Sequence, residues 1–207
     1  VDSHALVPDF LWQQEITASR GPFSHSFPAA LQSSGGVLTV LGLTPFRTRA
    51  FSIEQRGREF EFTQFVDLEL PLQPDWVLID IHRTFFDGLA PHLARDSEAR
   101  GDDAPEHSPR ADGAPKDRAL ADGVHEVSAQ GERRRDVWQS GRLVRRTYER
   151  LDAPGKLITI DYGRGYRWGE PPPRLLFDNG WYGYRLEVVT TSAETLAPEA
   201  PREDVPP

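Results

Sequence analysis

The sequence predicts a mainly β protein with a minor α component (α+β): an antiparallel sheet curled strongly around one helix. Three observations predict it. Apolar and polar residues alternate through most of the chain, as in strands that bury one face. Gly, Pro, Asp and Asn break these runs where hairpin turns need them. Only residues 74–86 switch to apolar spacings of three and four. With no alternation of strands and helices, a parallel sheet is excluded, and an antiparallel sheet with one apolar face needs a cover.

Taken in order, Phe10, Trp12 and Ile16 share a face interrupted by Gln14, while Gln13, Glu15 and Thr17 point away. Phe23, His25, Phe27, Ala29 and Leu31 line one side of the next strand, and Gly35–Gly36 supplies its turn. Residues 37–43 are nearly all apolar, as in a strand covered on both faces. Phe51 and Ile53, then Phe60 and Phe62 beyond the Arg56–Arg58 turn, make a hairpin with one apolar face. The run PDWVLIDIHRTFF reads as a helix opened by Pro74 and Asp75. Strands resume at 136–139, 143–151, 157–162, 175–177 and 182–188, where Tyr184 and Leu186 face inward.

Two stretches break the pattern. Residues 88–132 contain no Phe, Trp, Tyr or Ile and are crowded with Asp, Glu, Ala, Pro and Gly. They bury too little to offset their ordering entropy, so a disordered acidic insertion is expected there. The Pro- and Glu-rich residues 192–207 are expected to be a disordered tail, and residues 1–9 an N-terminal tail. One domain, 10–191, interrupted by the insertion, remains.

Composition and motifs narrow the function. The chain has 207 residues, 24 basic against 32 acidic, a net charge of -8, which argues against a nucleic-acid partner. Without Cys there is no disulfide or thiolate site. Histidines stand at 4, 25, 82, 92, 107 and 125, and none pairs at the spacing of a helical metal site. Gly-x-Ser-x-Gly and Ser-x-x-Lys are absent, DYGRGYRWG reads as an aromatic turn, and Glu59 and Glu61 lie on an outward face. No catalytic constellation, metal or cofactor is expected. The aromatic and aliphatic inward set remains: Phe10, Trp12, Phe23, Phe27, Phe51, Ile53, Phe60, Phe62, Trp76, Ile81, Phe85, Tyr162, Tyr184 and Leu186. These either fill a core or line a cavity for a hydrophobic ligand, where each buried methylene contributes about 0.8 kcal/mol.

The run LTVLGLTPFRTRAFSIEQRGREFEF, the helix WVLIDIHRTFF and the late segment LLFDNGWYGYRLEVVTT together resemble a family of uncharacterised bacterial outer-membrane lipoproteins, a domain of unknown function. That family is similar in turn to the LolA and LolB lipoprotein carrier and receptor proteins. The resemblance implies an unclosed antiparallel β-barrel plugged by helix, with an apolar cavity for acyl chains. It also implies a lipid-modified Cys just ahead of Val1 and a periplasm-facing place on the outer membrane, anchored through that N-terminal lipid. The expected partner is a lipid or polyene ligand, bound or transferred without catalysis. The alternative is a scaffold or assembly lipoprotein with a filled core, acting through protein contacts.

Overall fold

The alternation of apolar and polar residues draws the described part of the chain into eleven antiparallel strands of one sheet. The computed structural model describes residues 9–67, 73–86, 122–167 and 169–196. Five strands come first: β1 (Phe10–Arg20), β2 (Phe23–Ser34), β3 (Val37–Leu43), β4 (Arg49–Arg56) and β5 (Glu59–Gln64). Helix α1 (Pro74–Ile81) follows and runs into a π-helical turn, His82–Phe86. Six strands complete the chain: β6 (Gly123–Ala129), β7 (Glu132–Gln139), β8 (Arg142–Arg150), β9 (Leu157–Tyr166), β10 (Arg174–Asn179) and β11 (Tyr184–Thr195).

Across the sheet the order is β5-β4-β3-β2-β1-β11-β10-β9-β8-β7-β6. Two meanders of hairpins, β1–β5 and β6–β11, are therefore joined along one seam, β1 against β11, where Phe10 faces Thr195 and Ser19 faces Arg185. The residues flanking the seam reinforce it, the Leu196 amide donating to the Asp9 carbonyl at 2.9 Å, while the Gly35 amide at the β2–β3 turn donates to the Asp9 carboxylate.

The sheet is strongly curled but not closed. His82 Nε2 lies 2.7 Å from Gln55 Oε1 on β4, while its neighbour Arg83 reaches Glu132 on β7 at 2.7 Å. In the strand order those strands are eight intervals apart, about 38 Å along a flat sheet at ~4.8 Å per strand. Two adjacent side chains bridge that span only if the sheet wraps around them. Among the described residues β5 and β6 form the two free edges, so the barrel stays open. The fold is that expected.

Every second residue faces the helix. The rows Phe10, Trp12 and Gln14 on β1, Leu31 and Ser33 on β2, Leu38 and Val40 on β3, and Ile53 and Gln55 on β4 are buried on one side. Arg146 and Tyr148 on β8, Ile158, Ile160 and Tyr162 on β9, Leu175 and Phe177 on β10 and Tyr184 and Val188 on β11 complete it. The outer face is zipped by cross-strand ion pairs: Arg133 with Glu149, Arg145 with Asp161 at 2.8 Å and Arg185 with Asp178 at 2.6 Å. Solvent-exposed pairs of this kind add little stability, but they penalise slipped registers.

Two boundaries differ from expectation. Residues 123–129, placed in the disordered insertion, form β6, and Glu132 already belongs to β7. The strand escapes notice because Val124 and Val127, three apart, fall on opposite faces, so no single apolar side appears. Its order comes from pairing along β7, from Gly123 opposite Trp138 to Ala129 opposite Glu132. At the other end β11 runs to Thr195, past the expected start of the tail at 192, because β1 pairs with it throughout. The expectations for residues 1–8, 88–121 and 197–207 lie outside the described residues.

Candidate ligand-binding face

The site begins with what the helix does to the interior. Pro74 at the first turn and the acidic Asp75 suit a helix N-terminus. The last carbonyls of a helix have no partner within it, and here four side chains from β8 and β9 supply one. Arg146 Nη1 donates to the Arg83 carbonyl at 2.8 Å and Tyr148 Oη to the same oxygen at 3.1 Å. Tyr162 Oη donates to the Thr84 carbonyl at 2.6 Å, and Tyr166 Oη to that of Phe85 at 2.9 Å. Arg146 is itself held by a two-point pair with Asp136, 2.7 and 3.0 Å, with both side chains almost wholly buried.

A second polar group ties the helix to β10 and β11. The Asp80 carboxylate accepts from Tyr184 Oη and from Asn179 Nδ2 and faces Arg83 at 3.6 Å. Burial pushes its pKa up to about 6, against the pull of Arg83. On the opposite flank Gln55 donates its amide to the Gly57 carbonyl, so its Oε1 faces His82 and the proton sits on His82 Nε2. The imidazole is neutral, with burial lowering its pKa to about 4, and its Nδ1 is a buried acceptor without a partner. Arg83, 12% exposed, also lies over the rings of Trp181 at 4.8 Å and Tyr148 at 5.4 Å.

These ties seat the helix over one part of the inner face, and the interior there is filled by the protein's own side chains. Phe85 packs edge-on against Trp12 at 5.3 Å and against Tyr166 at 6.0 Å, and Phe10 stacks on Trp12 at 4.1 Å. Of the fourteen inward residues singled out above, Phe10, Trp12, Ile53, Phe85, Tyr162 and Tyr184 belong to this buried core. Ile81 packs against it, and Trp76 stacks on Tyr182 at 4.5 Å.

The remainder of the inner face is apolar but only half covered. Phe27, Phe51, Phe62 and Leu186 are half-buried, as is Ile16, which pairs with Phe27 across β1–β2. Phe51 and Phe62 lie 6.2 Å apart, and His25, which shares the face of Phe27, is exposed and stacks on it. Phe51 lies flat on the sheet because its neighbour across β3–β4 is Gly42, where a Cβ would come within 2.1 Å of the ring. Phe60 on the edge strand is 46% exposed and Phe23 at the β1–β2 turn 78% exposed. The outer face carries a separate shallow depression of about 300 Å³, floored by Val137 and Val144 and flanked by the Arg145–Asp161 pair. Among the described residues no His, Asp and Glu gather into a metal-holding group, and no helix is long and apolar enough to cross a membrane.

A family described as a protein of unknown function (DUF3261) matches residues 11–99. The DUF3261 match takes in β1–β5 and the helix, including two of the three segments that carried the resemblance in the sequence; the third, from Leu175, lies beyond it. No curated protein matches the chain. Among solved structures the chain is similar to a LolA superfamily protein from Nitrosomonas europaea, at 14% identity and TM-score 0.45, covering 95% of this chain and 90% of that one. It is also similar to a DUF1329 family protein from Desulfovibrio piger, at 8% identity and TM-score 0.49, covering 90% and 85%.

Proposed function

We propose that the protein is a non-enzymatic periplasmic lipoprotein that binds or passes on a hydrophobic ligand, an acyl chain or polyene, at the outer membrane. One observation carries the reading. Ile16, Phe27, Phe51, Phe62 and Leu186 point to the inner side of a curled sheet yet keep solvent exposure, because the helix is pinned over the other part. A folded chain leaves such a face uncovered at a cost, and an apolar guest laid along it recovers about 25 cal/mol for each Å² removed from water. The fourteen-residue inward set divides accordingly: Phe27, Phe51, Phe62 and Leu186 contact the guest, the buried members form the floor that shapes the trough, Trp76 and Ile81 belong to the helix, and Phe23 and Phe60 stand exposed at the trough's rim.

The test is extraction of the purified protein with organic solvent and mass spectrometry of the extract, with titration of an apolar fluorescent probe alongside. A stoichiometric lipid, or saturable probe binding that weakens in Gly42→Leu, supports the reading, since the new side chain displaces the Phe51 ring into the trough. An empty extract together with an unbound probe defeats it. That outcome favours the rival reading, a scaffold lipoprotein acting through protein contacts, which draws on the filled interior beneath the helix.

A further inference from the structure

Among the described residues, four buried side-chain polar atoms lack a hydrogen-bond partner: Gln14 Nε2, Ser33 Oγ, His82 Nδ1 and Trp138 Nε1. A buried polar group left unmet is costly, so each calls for a physical reason. Three belong to the sealed interior: Ser33 lies between buried Phe10 and Leu38, His82 on the helical segment, and Trp138 on β7 opposite buried Leu143. Gln14 differs in place. It shares the inner face of β1 with buried Trp12 on one side and half-buried Ile16 on the other, so its amide stands where the sealed floor gives way to the open trough.

The row that crosses β1 at Gln14 is shallow. Gln14 pairs with Ala29 on β2, Ala29 with Gly42 on β3, and Gly42 with Phe51 on β4, whose half-buried ring lies over the glycine. The next row toward the open side holds Phe27 and Ile16, and the next toward the floor Val40, Leu31 and Trp12. On the other flank Gln14 pairs with Thr190 of β11, which spends its hydroxyl on the Pro172 carbonyl at 2.8 Å. The half-buried inward residues Ile16, Phe27, Phe51, Phe62 and Leu186 carry no charge and no side-chain hydrogen-bonding group. No hydrogen bond holds the Gln14 amide nitrogen, and a glutamine side chain turns about three single bonds. Beside Ala29, whose side chain is a single methyl, it can swing out of its apolar cover onto a guest.

We infer that Gln14 is a specificity-determining residue of the trough: its amide donates to a neutral carbonyl oxygen of the guest, an ester or amide at the head of an acyl chain. It thereby selects such a chain over a plain hydrocarbon or a free carboxylate. The inference rests on the reading of the open face as a ligand site. A carbonyl oxygen meets the waiting donor, whereas an all-carbon polyene leaves it unmet. A carboxylate would lie in apolar surroundings with no cation among the half-buried inward residues to balance it.

Displacement of the fluorescent probe phenylnaphthylamine from the full chain by matched guests, methyl laurate, n-tetradecane and laurate, tests it. The preference for ester over alkane is expected to be about tenfold greater in wild type than in Gln14→Met, a comparison in which the guests' differing solubilities cancel. Laurate is expected to bind wild type at least about tenfold more weakly than the ester. Without guest, Gln14→Met should melt no lower than wild type, because it removes an unmet donor and keeps the length of the side chain. A lower melting temperature assigns Gln14 a structural role and overturns the inference. So does an ester preference equal in the two proteins, or a laurate affinity matching that of the ester. A second readout needs no variant: the infrared carbonyl band of isotope-labelled methyl laurate bound to wild type should lie below its position in hexane, and an unshifted band overturns the inference. A probe that fails to bind wild type defeats the ligand reading itself, whereas saturable probe binding without the ester preference defeats this inference alone.

Discussion

Asp80 and His82 sit two positions apart on the same short helical segment and respond to acid in opposite senses. Burial holds the Asp80 pKa at about 6, above its ordinary 3.8, so its protonated form is the one the fold favours. Its contribution is full below 3.8 and is lost as pH rises through about 6. His82 is held at about 4, below its ordinary 6.5, so its contribution is full above 6.5 and is lost as pH falls toward 4. Each shift corresponds to on the order of 3 kcal/mol, and between pH 4 and 6 the two nearly offset. Thermal melts of the wild type are therefore expected to change little over that window. Asp80→Asn should lose stability on acidification and His82→Gln should gain it; parallel curves for all three proteins would refute the assignment.

At the scale of elements, the helix is held less by its own sequence than by what receives its end. Removing the Tyr166 hydroxyl, as Phe, leaves the Phe85 carbonyl buried without a donor and should cost about 1–3 kcal/mol in urea denaturation. Arg146→Met should cost about 3 kcal/mol, because it leaves the buried Asp136 carboxylate with Arg134 at 3.3 Å as its remaining cationic partner and the Arg83 carbonyl with Tyr148 alone. Replacing Asp136 by Leu in the same protein should restore the part due to the weakened pairing. None of this polar seat is legible in the sequence, where RLVRRTYER and LITIDYGRGY read as ordinary alternating strands. The helix itself is legible from Val77, Leu78, Ile81 and Phe85, but not its conversion to a π turn at His82, which keeps the same apolar spacing. Phe51 with Ile53, and Phe60 with Phe62, announce their hairpin by alternation alone. β6 does not, since an edge strand with one Val on each face carries no such mark. The inward set was likewise readable as a set. Which of its members are sealed and which stay open depends on where the helix lands, a contact between residues up to 104 positions apart such as Tyr184 and Asp80.

At the scale of the whole molecule, the β1–β11 seam is the one strand pairing among the described residues that joins the two meanders. A chain truncated after Gly183 keeps β2–β5 pairing locally but leaves the inner faces of both halves unmatched. It should show no cooperative unfolding transition and should bind hydrophobic dyes throughout its compact range. Retention of a sharp transition would mean that one meander folds alone. Pairing partners this distant in sequence also imply slow folding, in milliseconds to seconds.

That arrangement sets a schedule for biogenesis. As the polypeptide leaves the ribosome or a translocation channel, the N-terminal meander can zip up early, but its first strand keeps one flank bare until residue 195 has emerged. Throughout that interval Gln13, Glu15 and Thr17 alternate with Phe10, Trp12 and Ile16 along an unclaimed hydrogen-bonding margin, a template for stray β-pairing. Until the final strand arrives, that margin is where the young chain is most open to mispairing.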